Sequence, residues 1–390
     1  MARRPGTPQL LRQLNDRAAL ELLLSGGPLT RAELGERTGL SKVTAGQLLA
    51  RLQERELVSV VGEQAGGRGP NAALYGVVPS CAYVAGLDVL PDRISAGVAD
   101  ITGELVAEVT VEVSAEPGGE EDPVRLVRGA VRKACAAAGI TRSRLRAFVI
   151  GTKGVVDPRS GDVSFSFDLP FWHEGVLTDL RRGLGIPVTI ENDVNLAALA
   201  ERECGAALGV DDFALLWAGV GQGLGVMLGG RLHRGFTGGA GEIGWLPVPG
   251  EPLPTDVSEP QSGSFQRLVG GEAVTGLAGA YGIDGASIAE RVRTAVAEGP
   301  ESFLDELAGR LAVGVAAVTV VLDPGLIVLS GDVGRAGGPV LAARVEEAVA
   351  RVCPSRPRVV VTEVEGNPVL RGALVSALHQ AREQVFSETI

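Results

Sequence analysis

The first 60 residues of the chain place their apolar side chains at helical spacing. Within residues 15–57, Leu20, Leu23 and Leu24 lie on one stripe, and the Gly-Gly-Pro sequence at 26–28 stops that helix. Thr30 and Glu33 have the spacing of a capping box, in which each residue hydrogen-bonds the backbone of the other. This pair predicts that a second, short helix begins directly after Thr30.

A third helix is expected after a glycine turn at Gly39, with Ser41 as its N-cap. Two short helices joined by such a turn are typical of a helix-turn-helix, whose second helix enters the major groove of DNA. A plain helical hairpin is the alternative. The side chains expected to pack inward are Leu40, Val43, Leu48, Leu49 and Leu52. The candidate DNA contacts on the opposite, polar side are Ser41, Lys42, Thr44, Gln47 and Arg51.

Two short β-rich runs follow, on either side of a glycine-rich tip in the sequence GEQAGGRGPNAALYGV. This arrangement predicts a β-wing. Arg68 lies between two glycines at the tip, where a guanidinium is able to enter a narrow minor groove. The alternative interpretation of the same stretch is a solvated linker.

From Tyr83 onward the pattern changes to strands of continuous apolar residues. Three β-rich runs are followed by a helix at 122–138 and by a buried strand, and a second set of strands begins at Phe213. This weak internal repeat predicts two similar α/β lobes with a ligand-binding cleft between them. The predicted domains are a head (1–78), a first lobe (79–204) and a second lobe (205–390).

Charge separates the head from the body. The chain has 390 residues and a net charge of −11. Residues 1–75 hold ten Arg and Lys against seven Asp and Glu, whereas the rest holds 26 against 40. A basic head on an acidic body favours a head that meets a polyanion.

Several protein classes are disfavoured by the composition. The four cysteines and three histidines are scattered, so neither a disulfide framework nor a metal cluster is expected. Apolar runs of about 18 residues are missing, and the first ten residues lack a signal-peptide core. We therefore expect a cytoplasmic protein that makes no membrane contact.

Three segments together resemble the ROK family of repressors and sugar kinases. They are GPLTRAELGERTGLSKVTAGQLLARLQERELV with GGRGP, IPVTIENDVNLAALAE (186–201) and GVGQGLGVMLGGRLHRGFTGGAGEIGW (219–245). The resemblance implies an α/β fold: a winged helix-turn-helix, followed by a two-lobed body of the actin-like, ribonuclease H-like (hexokinase-like) ATPase type. Because only the repressor branch of the family carries such a head, it also implies a repressor.

The resemblance further implies where a sugar binds. Asn192 matches a sugar-binding asparagine and Asp193 matches the kinase base, while Glu242 lies in the family's Gly-Glu-Ile-Gly-His motif. Trp245 replaces the histidine of that motif. A tryptophan is able to stack on a pyranose ring, and the alternative is that it fills the core. We expect Asn192, Asp193, Glu242 and Trp245 to form a sugar pocket, with Asp193 as a vestigial base.

The family's phosphate and zinc motifs are altered. The kinase Asp-x-Gly-Gly-Thr turn corresponds here to Asp88 followed by Val-Leu-Pro-Asp, and Asp332 takes the place of a glycine in the second phosphate segment. Proline removes a backbone donor, and the added aspartates repel phosphate. The zinc cysteines correspond to Val257, Glu259 and Ser264, and Gln266 replaces a glutamate. We therefore expect no metal, no cofactor and no kinase activity.

The leading hypothesis is a sugar-responsive repressor of carbohydrate genes. Its expected partners are double-stranded operator DNA, a small sugar or sugar derivative as effector, and further copies of itself in a homodimer or homotetramer. Two alternatives stay open at this point. One is a residual sugar kinase with a regulatory head, and the other is a sugar-independent regulator controlled by a protein partner.

Overall fold

The computed structural model describes residues 8–65, 71–113, 122–165, 175–253 and 263–387. They form a small N-terminal head and two α/β lobes. No helix among these residues has the length and apolar character needed to cross a membrane.

The head is a winged helix-turn-helix. Its elements are α1 (Pro8–Gly26), β1 (Leu29–Thr30), α2 (Arg31–Thr38), α3 (Lys42–Glu54), β2 (Val58–Gln64) and β3 (Ala72–Val77). The three strands form a sheet in the order β1-β3-β2. The predicted wing is thus present as the antiparallel pair β2–β3.

The helix caps that the sequence predicts for the head are present in the structure. Thr30 caps α2 with a complete capping box, in which its hydroxyl accepts from the Glu33 N–H and the Glu33 carboxylate accepts from the Thr30 N–H. Gly39 ends α2 in the left-handed conformation, with φ of 68°. Ser41 caps α3 by accepting a hydrogen bond from the Thr44 N–H. These three features fix where α2 begins and ends and where α3 begins.

The inward face of α3 differs from the prediction at one position. Leu48, Leu49 and Leu52 are buried as expected, but Val43 is 71% exposed. In a helix of 3.6 residues per turn, Val43 lies about 200° around the axis from the buried Ala45, on the opposite side. The prediction that Val43 packs inward is therefore wrong, and its side chain joins the polar face.

The first lobe surrounds a five-stranded sheet in the order β10-β7-β4-β5-β6. Helix α6 starts directly after β10, with Asp193 as its first residue. The elements are β4 (Tyr83–Val89), β5 (Arg93–Asp100), β6 (Leu105–Glu112), α4 (Pro123–Ala137), β7 (Leu145–Thr152), β8 (Val155–Val156), β9 (Val163–Phe165), α5 (Val176–Leu184), β10 (Val188–Asn192) and α6 (Asp193–Cys204).

The second lobe repeats this plan with a sheet in the order β13-β12-β11-β14-β15. Each lobe has a central strand that pairs antiparallel with the next strand and parallel with a later one, so the predicted internal repeat is confirmed. The elements are β11 (Phe213–Ala218), β12 (Gln222–Leu228), β13 (Arg231–Leu232), α7 (Phe265–Val269), α8 (Gly271–Ala280), α9 (Ile288–Glu298), α10 (Glu301–Leu322), β14 (Leu326–Ser330), α11 (Gly331–Ala350) and β15 (Arg358–Val361).

The last helix, α12 (Pro368–Ser387), returns to the first lobe. It packs against β4, β7 and α6, although the sequence-based boundary assigns it to the second lobe. Its apolar side chains share one core with the head. Helix α12 thus touches both the first lobe and the N-terminal head.

Candidate functional site

The exposed side of α3 carries most of the predicted DNA contacts. Ser41, Lys42 and Gln47 are exposed there, and Val43 lies among them. Thr44 is half-buried, and its hydroxyl lies 2.9 Å from that of Ser41. Since the first turns of a recognition helix face the base edges, this surface is a candidate major-groove interface.

Arg51 follows Gln47 by one helical turn, and its guanidinium is paired with α1, while its predicted contact with DNA stays a prediction. Its Nη2 donates to Asp16 Oδ1 of α1 at 2.6 Å, and the Asp16 side chain is only 10% exposed. This ion pair fastens α3 to α1. The guanidinium is therefore engaged within the head.

The tip of the wing lies outside the described residues, and Arg68 with it. At its base, Asn71 donates to Glu63 across the two strands at 3.0 Å. The predicted minor-groove contact of Arg68 stays a prediction.

A second candidate site lies in the body, where β4 and β10 end. Asp88 is the penultimate residue of β4, and Asp193 follows the last residue of β10. Asp88 is buried and accepts a hydrogen bond from Asn367 Nδ2 at 2.7 Å. Half-buried Asp193 accepts one from the Val194 N–H. The parallel strands thus bring two carboxylates together at one sheet edge.

The electrostatics of this edge favour protonated carboxyls. Burial first, and then the Asp88 carboxylate, raise the pKa of Asp193 to about 7, with a smaller contribution from Glu242. Burial also raises the pKa values of Asp88 and Glu242. The Lys153 ammonium opposes these shifts at both aspartates. Close, desolvated carboxyls of this kind are typical of functional sites.

Asn192 has a structural role in this arrangement. Its Oδ1 accepts from the Asn195 N–H at 3.0 Å, which caps α6, and its Nδ2 donates to the Gly154 carbonyl at 3.1 Å. These contacts fix the start of α6 and therefore the position of Asp193. The predicted sugar contact of Asn192 stays a prediction.

The segment that bears Glu242 and Trp245 is fastened to the first lobe. Arg234 Nε donates to Glu191 Oε2 at 2.6 Å, and the Glu191 side chain is 8% exposed. Further along, a Cβ added to Gly238 would lie 1.9 Å from the Val156 carbonyl oxygen, so only glycine allows this approach. The segment therefore crosses the cleft and brings Glu242 to the side that holds Asp193.

Trp245 is half-buried in a single 3₁₀ turn, Ile243–Trp245, directly after Glu242. This exposure fits both interpretations made from the sequence, ring stacking and core filling. Both therefore stay open.

The two segments that the resemblance matches to phosphate-binding motifs are the turn after β4 and the glycine loop after β11. After β4 the chain turns tightly, with the Leu90 N–H donating to the Arg93 carbonyl. In the second lobe, a Cβ on Gly219 would lie 3.6 Å from Asp332 Oδ2. A carboxylate therefore borders the glycine loop that follows β11, where it would repel a phosphate.

The described end of the segment that corresponds to the zinc motif is held by hydrogen bonds. Ser264 is buried and bridges Pro247, and Gln266 accepts from the Gln222 N–H while donating to the Val220 carbonyl. Val257 and Glu259 lie outside the described residues. Among the described residues, no group of three or more His, Cys, Asp or Glu side chains has a metal-binding arrangement.

Several residues of these sites escaped the sequence-based prediction. The sequence offers one hint for Lys153, which is that lysine is rare in this chain, with three in all. Glu191 with Arg234, and Asp88 with Asn367, are brought together from distant segments. No spacing rule indicates such pairs.

The fold and the two sites define a protein class, a winged helix-turn-helix head on a body of the sugar-kinase type. Residues 84–380 match the profile of the ROK family, and residues 13–69 match that of the MarR family. The chain therefore belongs to the ROK family.

Relatives include both repressors and kinases. A xylose repressor of Caldicellulosiruptor bescii is 27% identical over 241 residues, which are 61% of this chain and 60% of that protein. The chain thus spans about three fifths of the length of this curated relative. A hexokinase from Thermus thermophilus is 29% identical, with a TM-score of 0.63, over 77% of this chain and 99% of that one.

The full arrangement of head and body also has a structural counterpart. A ROK family transcriptional regulator, described as a homologue of the E. coli MLC protein, superposes with a TM-score of 0.76. It covers 97% of this chain and 100% of its own, at 18% identity. The likeness extends to the fold of the head as well as the body.

Proposed function

We propose that the protein is a repressor whose head binds operator DNA and whose body binds a sugar that changes this binding. The observation that carries the proposal is the combination, in one chain, of an exposed recognition helix with a cluster of desolvated carboxyls in the body. The similarity to a xylose repressor supports it. Operator binding would place this activity in the cytoplasm, and operator symmetry favours a homodimer or a pair of dimers.

In this proposal Lys42, Val43 and Gln47 read bases, while Ser41 and Thr44 hold the start of α3 against the DNA backbone. Gln47 suits a bidentate contact to adenine, and the exposed methyls of Val43 suit the methyl group of thymine. Arg51, held by Asp16, contributes to the stability of the head. The guanidinium of Arg68 is proposed for the minor groove.

Selection of bound sequences from a random duplex library tests the DNA-binding half of the proposal. We expect an enriched motif with two-fold symmetry, and loss of the enrichment in a variant with Lys42→Ala and Gln47→Ala. An unenriched library, together with binding that depends on salt but not on sequence, would contradict operator recognition.

In the body, Asp193 and Glu242 would accept hydrogen bonds from sugar hydroxyls, with Trp245 beside the ring. A thermal-shift screen of the full chain against pentoses, hexoses, their phosphates and ATP tests this. D-xylose belongs in the panel because of the repressor relative. We expect a rise in Tm with at least one sugar, since a ligand of the folded state stabilises it. No rise with any compound would favour the alternative of a sugar-independent regulator.

A residual sugar kinase is the second candidate, and the environment of Asp193 favours it. A carboxyl with a pKa of about 7 has the proton affinity of a general base at neutral pH. The turn after Asp88 and the carboxylate of Asp332 oppose this candidate, so we propose that the protein does not transfer phosphate. Phosphoryl transfer from ATP to a sugar, abolished by Asp193→Asn, would establish a kinase instead.

A further inference from the structure

Helix α12 packs directly against β4 and α6, the two elements that carry Asp88 and Asp193. A Cβ on Gly372 would lie 1.8 Å from the Leu196 carbonyl oxygen of α6, and one on Gly86 of β4 would lie 3.0 Å from the Leu374 N–H nitrogen. Backbone therefore meets backbone at both contacts. Because close-packed interiors transmit displacements, a shift of the strand end at Asp88 or of the helix that starts at Asp193 would be passed on to α12.

The pocket end of α12 is fixed by Asn367. Its Nδ2 donates to Asp88 Oδ2 at 2.7 Å, and its Oδ1 accepts from the N–H groups of Val369 and Leu370 at 3.0 and 3.1 Å. One side chain thus both holds a pocket carboxylate and caps the first turn of α12. Asp88 Oδ1 is buried and has no hydrogen-bond partner among the described residues, so the hydrogen bond from Asn367 to Oδ2 is the one that orients this carboxyl.

The other end of α12 reaches the head. Val385 and Phe386 belong to the same apolar cluster as Leu20 of α1 and Leu48 of α3. Arg55, which ends α3, donates to the Val385 carbonyl at 2.8 Å. A helix of 20 residues is about 30 Å long, so α12 spans the distance from the pocket to the recognition helix.

The junction between α1 and α12 is only partly filled. A cavity of about 490 Å³ lies between Arg17, Glu21 and Leu24 of α1 and the last turns of α12. The head is thus joined to α12 by the apolar cluster and by the hydrogen bond from Arg55, beside an open space. Small shifts of a helix in such a junction are a common form of switching motion.

We propose that Asn367 is a positioning residue that couples the effector pocket to the DNA-binding head through α12. Only the consequence of this coupling, a change in DNA binding when a ligand binds, rests on the proposed function. A ligand that changes the position of Asp88 would move Asn367, shift α12 along its axis, and alter the packing of α1 and α3. Its mechanical part, from Asp88 to the head, needs neither sugar nor DNA and is tested without them.

The test uses three variants of the full chain: Asn367→Asp, Asp88→Asn and the double exchange. Aspartate is as good an N-cap as asparagine, so Asn367→Asp keeps the cap of α12 but places a carboxylate against Asp88. The double variant restores the hydrogen bond with donor and acceptor exchanged. The matched control is Ser287→Asp, which exchanges the N-cap of α9 in the second lobe.

Hydrogen exchange of backbone amides is the first readout. In Asn367→Asp we expect the amides of α1 and α3 to exchange at least fivefold faster, and in the double variant to return to within twofold of the wild type. Ser287→Asp should leave them unchanged. Unchanged exchange in α1 and α3 of Asn367→Asp would overturn the proposal. An equal increase in the exchange of α10 amides would also overturn it, because it would report general destabilisation. A double variant in which the exchange of α1 and α3 stays fast would overturn it as well.

Operator affinity is the second readout. We expect Asn367→Asp to change the Kd for a selected operator at least fivefold, with recovery in the double variant. If the wild type binds no specific sequence, the proposed function fails, whereas the exchange data still decide whether α12 couples pocket and head. If operator binding is intact and equal in all variants, the coupling fails and the proposed function stands.

Discussion

At the scale of single residues, the proposed DNA-binding site relies on an exposed side chain and the body site on a partly buried one. Gln47 is exposed and contributes nothing to the core. Asp193 is held in a partly desolvated position beside two other carboxyls. Substitutions at these positions therefore affect different measurements.

For Gln47→Ala we expect specific operator binding to weaken by about 1–3 kcal/mol, because a bidentate contact to a base is lost. Binding to random DNA and the free energy of unfolding should not change. Gln53→Ala is the matched control, since it makes the same change at an exposed position at the other end of α3. Fluorescence anisotropy with operator and random duplexes gives both affinities. Equal losses on the two duplexes would contradict base reading.

For Asp193→Asn we expect a more stable protein without ligand, with a pH dependence of a definite sign. The folded-state pKa of about 7 lies above the ordinary value of 3.8, so the folded protein holds the proton more tightly than the unfolded chain. Wild-type stability thus falls as the pH rises from about 4 to about 7, and the loss is complete above that range. The variant removes this loss and still accepts from the Val194 N–H.

Thermal melts at pH 4.5, 6 and 8 measure this difference. The Tm advantage of Asp193→Asn should grow from pH 4.5 to pH 8. Asp284→Asn, at an exposed aspartate, should show no such trend. A variant whose Tm differs from the wild type by the same amount at all three pH values would show that Asp193 titrates normally.

At the scale of elements, the sequence predicts best where the cause is local. The capping box of α2, the glycine that ends it and the cap of α3 lie within 15 residues, and all three form as expected. The error at Val43 has a geometric cause. Its neighbours suggest one apolar run, but the angle around the helix places it opposite the leucines that are buried.

Thr30→Ala tests how much the N-cap hydroxyl contributes to the stability of α2. Removal of the hydroxyl leaves the Glu33 N–H without its acceptor, and we expect the head to lose about 0.5–2 kcal/mol of stability. Thr30→Ser keeps the hydroxyl and serves as the control. Hydrogen exchange of the α2 amides measures the loss within the full chain. Equal exchange in the two variants would mean that tertiary contacts alone hold α2.

At the scale of the whole molecule, prediction from sequence depends on how far apart the partners lie. The repeated order of strands indicates two lobes, and the resemblance to ROK proteins places Asp193 and Glu242 in one cleft. The bond between Asp88 and Asn367 joins residues 279 positions apart, and no periodicity indicates it. The return of α12 to the first lobe and the head is likewise a product of tertiary packing.

The central claim is that ligand binding in the body changes DNA binding by the head. Two such sites in one chain are thermodynamically linked if the ligand prefers one arrangement of the head, and typical linkage changes an affinity 5- to 150-fold, or about 1–3 kcal/mol. The claim therefore requires both a bound sugar and a changed operator affinity in the same protein.

The most direct measurement is the operator Kd of the full chain with and without a saturating concentration of the sugar that raises its Tm. The account predicts at least a fivefold change in the wild type and none in Asp193→Asn, which should still bind operator with wild-type affinity. An operator Kd that is the same with and without the bound sugar would contradict the account.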